Sequence, residues 1–478
     1  MQALKLTDQD FINIEKELCQ RSLSEFVKSA WHVLEPSQPY IHGWHVDCIC
    51  DHLEAVTAEE IRRLLINIPP GTMKSTLCNV FWPAWEWGPL GMSSNRIISA
   101  SHEVGLAIRD TRKMRNLIAS DWYQARWPIA FSGDQNQKLY YENEDTGWRQ
   151  ACPVKSMTGK RGDRVVWDDP HSVEAALSEA ERITAVREFK ETLPTRLNNP
   201  DTSAIVIVMQ RLHEEDVSGL ILTEDYGYEH LNLPMEFEKE NRCTTSIGFV
   251  DPRKEEGELL FPERFPQSVI DEYKKIMGSY GYAGQMQQRP APRTDGFFEW
   301  EKLQVISPEA VPKIRKEVRY WDKAGTDGGD GARTAGVRMG VGVDGNFYVR
   351  HVEKGRWAAP RREKIIKETA HRDSKKVKVW LEQEPGSGGK ESAEATINNL
   401  MGFIVKADRP TGDKAVRAEP YSVAVENGKV YLVEGDWNQD FIDEHKTFPV
   451  GKHKDQIDAA SGGFNKLADS KYTLSNVV

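Results

Sequence analysis

The sequence has no apolar run long enough to span a membrane, and it has no excess of basic residues. Its formal net charge is −10 at pH 7, whereas nucleic-acid-binding domains often carry a basic excess. The first residues also lack the basic and apolar pattern of a signal peptide. We therefore expect a cytoplasmic protein with no membrane partner. If it binds nucleic acid, local patches of basic residues must make the contacts.

Cysteine is scarce, and no CxxC pair or histidine at zinc-binding spacing accompanies it. The spacing excludes the common zinc motifs and gives no sign of a disulfide framework. We expect all six cysteines to be reduced and buried, and we assign them no function: Cys19, Cys48, Cys50, Cys78, Cys152 and Cys243. No internal repeat or low-complexity tract is visible.

The length of 478 residues exceeds what one hydrophobic core usually serves, so we expect more than one domain. Residues 5–57 have a helical pattern, and short apolar strands then alternate with helices up to about residue 230. From 231 to 315 the pattern loosens into proline, glycine and charged residues, which predicts a small subdomain and a linker near 286–315. A second α/β domain is predicted over 316–478, after a first over 1–230.

The apolar runs predict two mainly parallel sheets covered by helices. The strands predicted in the first half are 61–69, 96–101, 164–169 and 203–210, with a helix over 105–120. In the second half we predict a strand at 318–324, a hairpin around Asp344-Gly345, a helix at 361–371, a strand at 376–384 and a last helix from about 453.

The first chemical signal is the segment IPPGTMKST (68–76), which follows a predicted strand and precedes a predicted helix. A phosphate-binding loop needs inward backbone N–H groups at a helix N-terminus, a lysine for the phosphates and a hydroxyl for Mg²⁺. Lys74, Ser75 and Gly71 fit these roles. The full GxxxxGK[ST] pattern would have glycine where Ile68 and Met73 stand, so an ordinary strand–turn–helix remains an alternative.

The second signal is RVVWDDP, an apolar strand that ends in Asp168 and Asp169. In nucleotide hydrolases with a phosphate loop, one such acid holds Mg²⁺ and the next activates the attacking water. Asp-Asp-Pro is also a sequence that commonly forms a solvent-exposed turn. Because strand ends meet at one edge of a parallel sheet, where α/β ligands bind, the lysine loop and the two acids together favour ATP hydrolysis.

The third signal is the strand AIVIVMQ with the polar turn RLHEED behind it. Gln210, Arg211 and His213 follow the strand and could sense the γ-phosphate and transmit its loss. The acids from Glu214 to Asp216 are explained equally well as residues that offset the dipole of the next helix.

The C-terminal half places acids at three separate points. Asp322 is in the strand VRYWDKA, Glu382 and Glu384 are in or just after the strand KVWLEQE, and HKDQIDA places Asp455 and Asp458 on one helix face. Hydrolysis of a phosphodiester by two metal ions about 4 Å apart needs several converging carboxylates. Each acid alone is better explained by a strand end or by pairing with a nearby lysine, but the three points together favour a nuclease.

Together these segments resemble the large terminase subunits of tailed phages: GWH, PPGTMKST, DDP, QRLHEEDVSG, the strand aspartate, LEQEPGSGGK and HKDQIDA occur in the family's order. The resemblance spans nearly the whole chain. It implies an additional-strand P-loop ATPase domain (1–230), the small subdomain and linker (231–315), and an RNase H-like nuclease domain (316–478). It also implies ATP-driven translocation of double-stranded DNA into the capsid and metal-dependent cleavage of the concatemeric genome.

The resemblance also implies the residues of both sites. ATP with Mg²⁺ is expected to contact Gly71, Thr72, Met73, Lys74, Ser75, Thr76, Asp168, Gln210 and Arg211, with Ser75 and Asp168 at the metal. The expected catalytic residues are Asp169, Asp322, Glu382 and Asp455. Two Mg²⁺ or Mn²⁺ ions are expected at Asp322, Glu382, Asp455 and Asp458. Asp169 stands where the family more often has glutamate, and Lys454 replaces the first acid of the family's HDDxxDA segment.

Some assignments remain open on the sequence. Arg161 or Arg164 could stabilise the transferred phosphoryl group or face DNA, and Trp44 and His45 could lie near the adenine or in the core. Lys414 and Arg417 are candidates to steer DNA by its phosphates, and Asp330 is a further candidate acid.

By resemblance, the expected partners are a portal protein, a small terminase subunit and other copies of the chain in a ring. The expected location is the host cytoplasm, on the procapsid and not in the mature virion. A helicase-like repair or restriction ATPase with a fused nuclease is one alternative. A non-catalytic DNA-binding or scaffold protein with decayed motifs is the other.

Overall fold

The computed structural model describes residues 7–157, 159–290, 296–323, 333–384, 386–410, 412–449, 451 and 453–468. The chain divides into two compact units. The N-terminal unit consists of Met1–Asp271 and Tyr280–Ala291, and the C-terminal unit consists of Glu272–Ser279 and Pro292–Val478. The predicted three-part division of the chain stays a prediction.

The N-terminal unit is built on an eight-stranded sheet with helices between its strands. The strands are β1 (Arg63–Asn67), β2 (Ile97–Ser101), β3 (Phe131–Asn136), β4 (Tyr140–Asn143), β5 (Trp148–Pro153), β6 (Arg164–Asp168), β7 (Ala204–Met209) and β8 (Glu229–Asn232). The helices are α1 (Asp8–Arg21), α2 (Leu23–Leu34), α3 (Trp44–Thr57), α4 (Lys74–Thr76), α5 (Trp82–Trp87), α6 (Val104–Ile118), α7 (Asp121–Gln124), α8 (Val173–Leu177), α9 (Glu179–Arg187) and α10 (Val217–Glu224).

The strand order is β3-β4-β5-β2-β6-β7-β1-β8. β5, β2, β6, β7, β1 and β8 run parallel, and β3 and β4 add an antiparallel edge. β7 therefore lies between the strand before the lysine loop and the strand that ends in the two aspartates. This inserted strand confirms the additional-strand P-loop arrangement that the resemblance implied.

The four central strands form where the sequence predicts them, because their residues are apolar and buried on both faces. The antiparallel edge was not predicted. Polar residues are frequent in β3–β5, so the apolar signal is weak there, and their pairing with the sheet defines them as strands. All six cysteines are buried and free, as expected.

The C-terminal unit is built on a seven-stranded sheet. Its strands are β9 (Gln304–Ile306), β10 (Ile314–Asp322), β11 (Thr334–Gly342), β12 (Phe347–Gly355), β13 (Lys378–Glu382), β14 (Val405–Asp408) and β15 (Val430–Val433). α11 (Gln267–Gln285) precedes the strands in the chain, and only its residues 272–279 belong to this unit. The helices among and after the strands are α12 (Ala359–Asp373), α13 (Ser387–Asn399), α14 (Lys414–Glu426), α15 (Asn438–Thr447) and α16 (Asp455–Leu467).

The order of this sheet is β14-β13-β10-β11-β12-β15-β9. β10, β11 and β12 are antiparallel, and β13 and β14 join β10 in parallel. An antiparallel meander extended by two parallel strands beside its first strand is the RNase H-like arrangement, which confirms the predicted fold class. The hairpin predicted around Asp344-Gly345 joins β11 to β12.

The segment predicted as a linker differs in part from the prediction. Phe297, Phe298 and Leu303 are buried in the core of the C-terminal unit, and β9 pairs with β15. Charged neighbours around these apolar residues weakened the strand and core signal in the sequence. No helix among the described residues is long and apolar enough to cross a membrane.

Candidate functional site

The loop between β1 and α4 has the backbone of a phosphate-binding loop. Gly71 and Met73 both have positive φ, 78° and 66°, and the Thr72 hydroxyl donates to the Pro69 carbonyl at 2.7 Å. Positive φ is easy for glycine and strained for methionine. Met73 thus adopts the conformation for which the usual motif has glycine, so its presence does not prevent the loop from forming.

The two aspartates after β6 face this loop. Lys74 is buried, and its Nζ lies 3.1 Å from Oδ1 of Asp169. The hydroxyl of Ser75 lies close enough to Asp168 to lower the pKa of that carboxyl group slightly. The structure therefore brings together the lysine, the hydroxyl and both acids that the sequence singled out.

Asn79 also belongs to this cluster, and the sequence reasoning missed it. Its Nδ2 donates to Oδ2 of Asp168 at 3.3 Å, and its Oδ1 accepts from the Ser99 hydroxyl at 2.7 Å. Asn79 is placed there by a π-helical turn (Leu77–Phe81) that follows α4. A lone amide inside the apolar run LCNVF was the available signal, since buried polar groups need partners.

The electrostatics of Asp168 suit a cation site. Burial raises the pKa of Asp168 above its usual range, the charge of Asp169 raises it further, and Lys74 opposes both. Oδ1 of Asp168 is buried and has no hydrogen-bond partner among the described residues. A carboxylate beside a serine hydroxyl with one free oxygen is a fitting donor set for Mg²⁺.

The segment after β7 reaches the same cluster through Gln210. Its backbone N–H donates to Oδ1 of Asp169 at 3.4 Å, and its side-chain Oε1 is buried without a partner among the described residues. The side chain of Arg211 points away from this cluster, and its Nε lies 3.0 Å from Asp216. The backbone N–H of Arg211 donates to Oε1 of Gln288 at 2.9 Å. Asp216 also caps α10 by accepting from the Gly219 N–H at 2.7 Å.

His45 is fully buried beside the loop, next to the backbone of Thr72, and its ring centroid lies 4.7 Å from that of Phe261. Burial lowers the pKa of His45 to about 4, so the ring is neutral. Trp44 stacks on Phe249 with 6.3 Å between ring centroids. His45 is thus a core residue that also supports the phosphate loop.

Arg164 and Arg161 have different surroundings. Arg164 is buried at the start of β6, at the opposite end of that strand from Asp168, and its Nε donates to Glu86 at 2.9 Å. Arg161 is exposed and lines a cavity of about 560 Å³ that also contains Arg96 and Arg196. Of the two candidates, only Arg161 has a guanidinium accessible to an external phosphate.

The acids of the C-terminal unit converge at one end of its sheet. Asp322 ends β10, Glu382 ends the adjacent strand β13, and Asp455 and Asp458 lie in the first turn of α16. Burial raises the pKa of Asp322 far above its usual range, and the charges of Asp458, Glu382 and then Asp455 add to this effect. All four predicted acids therefore share one electrostatic site.

α16 is held in place by a residue that the sequence reasoning did not identify. The Oε1 atom of Glu444, in α15, accepts from the N–H groups of Gln456 at 2.7 Å and of Ile457 at 3.1 Å. The carboxylate thus satisfies free N–H groups at the start of the helix. This cap orients the turn that carries Asp455 and Asp458.

Two cations of α14 lie against the acids. Lys414 pairs with Asp458, and Nη1 of Arg417 lies 3.0 Å from Oε1 of Glu382. The second amino group of Arg417 lies 3.9 Å from Asp458. These ion pairs offset part of the negative charge of the site.

Among the described residues, the carboxylates of this site have a free oxygen atom and repel one another, and both features suit a metal ion. Within the described ranges, which omit 324–332, no group of three or more His, Cys, Asp or Glu is arranged to hold a metal. Oε2 of Glu382 is nevertheless buried without a hydrogen-bond partner among those residues, and Asp322 lies next to acids that raise its pKa. A divalent cation would displace the proton from Asp322 and relieve the repulsion between these acids, so the donor set fits.

The other residues predicted near this site do not contribute a side chain to the cluster of acids in the described structure. Glu384 is exposed beyond the end of β13, whereas Glu382 faces the cluster. Lys454 directly precedes α16, and its carbonyl accepts from the N–H of Asp458 at 2.9 Å. Asp330 lies outside the described residues.

The C-terminal unit matches one family model. Residues 319–467 match the family model described as "Terminase RNaseH-like domain". No curated protein shows a significant sequence match to the chain.

Three solved structures are similar at low sequence identity. The large terminase of bacteriophage HK97 is 10% identical over 86% of this chain and 90% of its own, with a TM-score of 0.37. The ATPase domain of the Thermus phage P74-26 large terminase is 13% identical over 54% and 96%, with a TM-score of 0.32. The large terminase nuclease of a thermophilic phage with bound magnesium is 10% identical over 37% and 100%, with a TM-score of 0.28.

The assignment rests on the family match and on the topology of the two sheets. The first sheet carries a lysine loop and an inserted strand, and the second has RNase H-like order with acids at its strand ends. Residues 319–467 thus match a terminase RNase H-like domain, and in the chain they follow a P-loop-type α/β unit.

Proposed function

We propose that this protein is a DNA-packaging terminase subunit that hydrolyses ATP in its N-terminal unit and cuts DNA in its C-terminal unit. The observation that carries the proposal is the approach of Lys74 to Asp169 at 3.1 Å, beside a hydroxyl–carboxylate pair formed by Ser75 and Asp168. A structural strand–turn–helix has no need for two acids and a lysine to meet in the interior, because burying charge is costly.

In the nucleotide site, Lys74 and the loop N–H groups bind the β- and γ-phosphates. Ser75 and Asp168 would hold Mg²⁺, which neutralises phosphate charge when bound. Asp169 accepts a proton from the attacking water. Gln210 lies beside Asp169 and links loss of the γ-phosphate to the segment between β7 and α10.

In the nuclease site, Asp322, Glu382 and Asp455 would hold two divalent ions, Mg²⁺ or Mn²⁺, with Asp458 as an auxiliary ligand. The bound ions supply an activated water and stabilise the leaving oxygen. Lys414 and Arg417 keep the acids in place and, once the ions neutralise those acids, are free to bind backbone phosphates. Cleavage of packaged DNA at any sequence requires such phosphate contacts rather than base contacts.

The biological setting follows from the same proposal. Double-stranded DNA is the substrate of both units, and the partners are a portal protein, a small terminase subunit and further copies of the chain in a ring. The protein acts in the host cytoplasm on the procapsid.

The decisive experiment measures ATP-dependent entry of DNA into purified empty procapsids that carry the portal. We expect uptake with the wild type, none with Lys74→Ala, and full uptake with Asp322→Asn. ATPase and nuclease activity without portal-dependent uptake would support a repair or restriction enzyme instead. Absence of ATPase activity in the wild type would reject the motor.

A further inference from the structure

A short segment of the N-terminal unit lies against the phosphate loop, and no motif considered in the sequence analysis includes it. It is FPERF (261–265), between β8 and α11. A Cβ atom placed on Gly71 would lie 2.9 Å from Cζ of Phe265 and 3.6 Å from Nε of Arg264. The aromatic ring therefore packs against the loop, and the guanidinium lies beside it, at the glycine where the backbone turns.

The segment is held firmly enough to position a side chain. The Leu260 N–H donates to the Met235 carbonyl at 2.7 Å, and the Phe265 N–H donates to the Phe261 carbonyl at 2.9 Å. Phe261 packs against His45, which adjoins the loop backbone at Thr72. Phe261 and Phe265 are buried, so this segment is a packed wall of the loop.

Arg264 is exposed, as are its neighbours Pro262 and Glu263. Its guanidinium lies over the ring of Phe265, 5.5 Å from the centroid, and it has no ion pair with an acid among the described residues. Two other arginines of the unit are paired: Arg109 with Asp110 at 2.8 Å and Arg253 with Asp251 at 2.8 Å. An exposed arginine beside this loop, without a carboxylate of its own, suits a phosphate.

The charge balance of the site gives this arginine a role. Lys74 is the only lysine or arginine that forms an ion pair with Asp168 or Asp169 in the described structure, so its charge is already balanced by Asp169. A nucleotide adds further negative charge. Because the loop lysine reaches the β- and γ-phosphates, a guanidinium beside the same loop approaches the same end of the ligand.

We propose that Arg264 contacts the terminal phosphates of ATP from the same subunit, with Phe265 fixing its direction against Gly71. This inference rests on the proposed nucleotide site. It assigns to the FPERF segment a part in distinguishing ATP from ADP. Arg161, the exposed arginine considered above, lies in a separate cavity and is not replaced by this assignment.

The test measures dissociation constants of fluorescent ATP and ADP analogues by titration, and steady-state hydrolysis, in the full chain. We expect Arg264→Ala to weaken ATP binding about tenfold or more, since charge-assisted hydrogen bonds are lost, and to change ADP binding much less. Arg264→Lys should restore part of the ATP affinity, because the charge remains but the fork geometry is lost.

Arg112→Ala is the matched control, because Arg112 is an exposed arginine of α6 in the same unit. It should bind both nucleotides as the wild type does. Unchanged ATP affinity and turnover in Arg264→Ala, or an equal loss for ATP and ADP, would overturn the proposal. A wild type that binds neither nucleotide would instead reject the nucleotide site itself, so the two failures are distinguishable.

Discussion

Nζ of Lys74 lies 3.1 Å from Oδ1 of Asp169, so the lysine of the phosphate loop and the acid after β6 neutralise each other. Asp169 holds this position with φ of 42°, while its N–H donates to the Val208 carbonyl at 2.9 Å. In the proposed mechanism a nucleotide draws Lys74 to the phosphates and leaves Asp169 free to act on water. The ion pair thus marks the resting state of the site.

Replacement of the proposed general base should separate binding from hydrolysis. Asp169→Asn keeps the size of the side chain and suits a left-handed backbone, so we expect ATP affinity close to that of the wild type. Turnover should fall by about 10²- to 10⁴-fold, the usual contribution of a general base. Nucleotide titration and phosphate release measure the two effects.

Asp225→Asn is the control for the backbone, since Asp225 also has positive φ, 47°, and caps α10. It should leave turnover unchanged. Normal turnover in Asp169→Asn would exclude Asp169 as the base.

The pKa of Asp322 predicts a trade of stability for function. Burial and the nearby acids raise this pKa, so Asp322 favours folding most below its unfolded pKa and loses this contribution as pH rises through the folded pKa. Asp322→Asn should therefore melt above the wild type at pH 8. Each pKa unit corresponds to ~1.4 kcal/mol, which raises the melting temperature by a few degrees. The gain should shrink towards pH 5, and metal-dependent DNA cleavage should be lost.

Asp344→Asn should change the melting temperature in the opposite direction in the same unit. Although burial opposes it, hydrogen bonds from Tyr348 and Asn346 lower the pKa of Asp344, so this variant should melt below the wild type at pH 8. Thermal melts across pH, with plasmid cleavage in parallel, make the comparison. A destabilised Asp322→Asn that still cuts DNA would refute the assignment.

The two glutamates at the end of β13 should behave differently. Glu382 interacts with Asp322 and pairs with Arg417, whereas Glu384 is exposed. We expect Glu382→Gln to reduce the rate of cleavage at least a hundredfold. Loss of a residue that only supports a metal ligand already lowers activity ~10- to 100-fold, and Glu382 is a proposed ligand itself. Glu384→Gln should cut normally. Equal loss in the two variants would mean that the strand end, rather than Glu382, matters.

Lys414 should compete with metal ions for the nuclease acids. It pairs with Asp458, and its removal leaves carboxylate charge that only a cation can offset. Lys414→Met should lower the melting temperature without metal and increase the stabilisation by added Mg²⁺ or Mn²⁺, which thermal shift against metal concentration measures. Lys390→Met, at an exposed lysine of α13, is the control. An unchanged metal dependence in Lys414→Met would show that the lysine is not a competitor.

The sequence predicted the central strands and most of the sites because their signals are local. Apolar runs define β1, β2, β6 and β7 wherever they pack, and the lysine, hydroxyl and paired aspartates stand next to the strand ends that carry them. The acids of the C-terminal unit were likewise readable from their strand and helix positions.

Other features depend on contacts between distant segments, so only the tertiary structure decided them. Packing brought the backbone N–H of Gln210 to Asp169 but turned the side chain of Arg211 to Asp216, although the two are neighbours in sequence. It also selected Glu382 over Glu384 and placed the FPERF segment against Gly71, about 190 residues away. Short-range patterns fix which residues are available for chemistry, whereas the direction of each side chain follows from the long-range packing that the whole chain must satisfy.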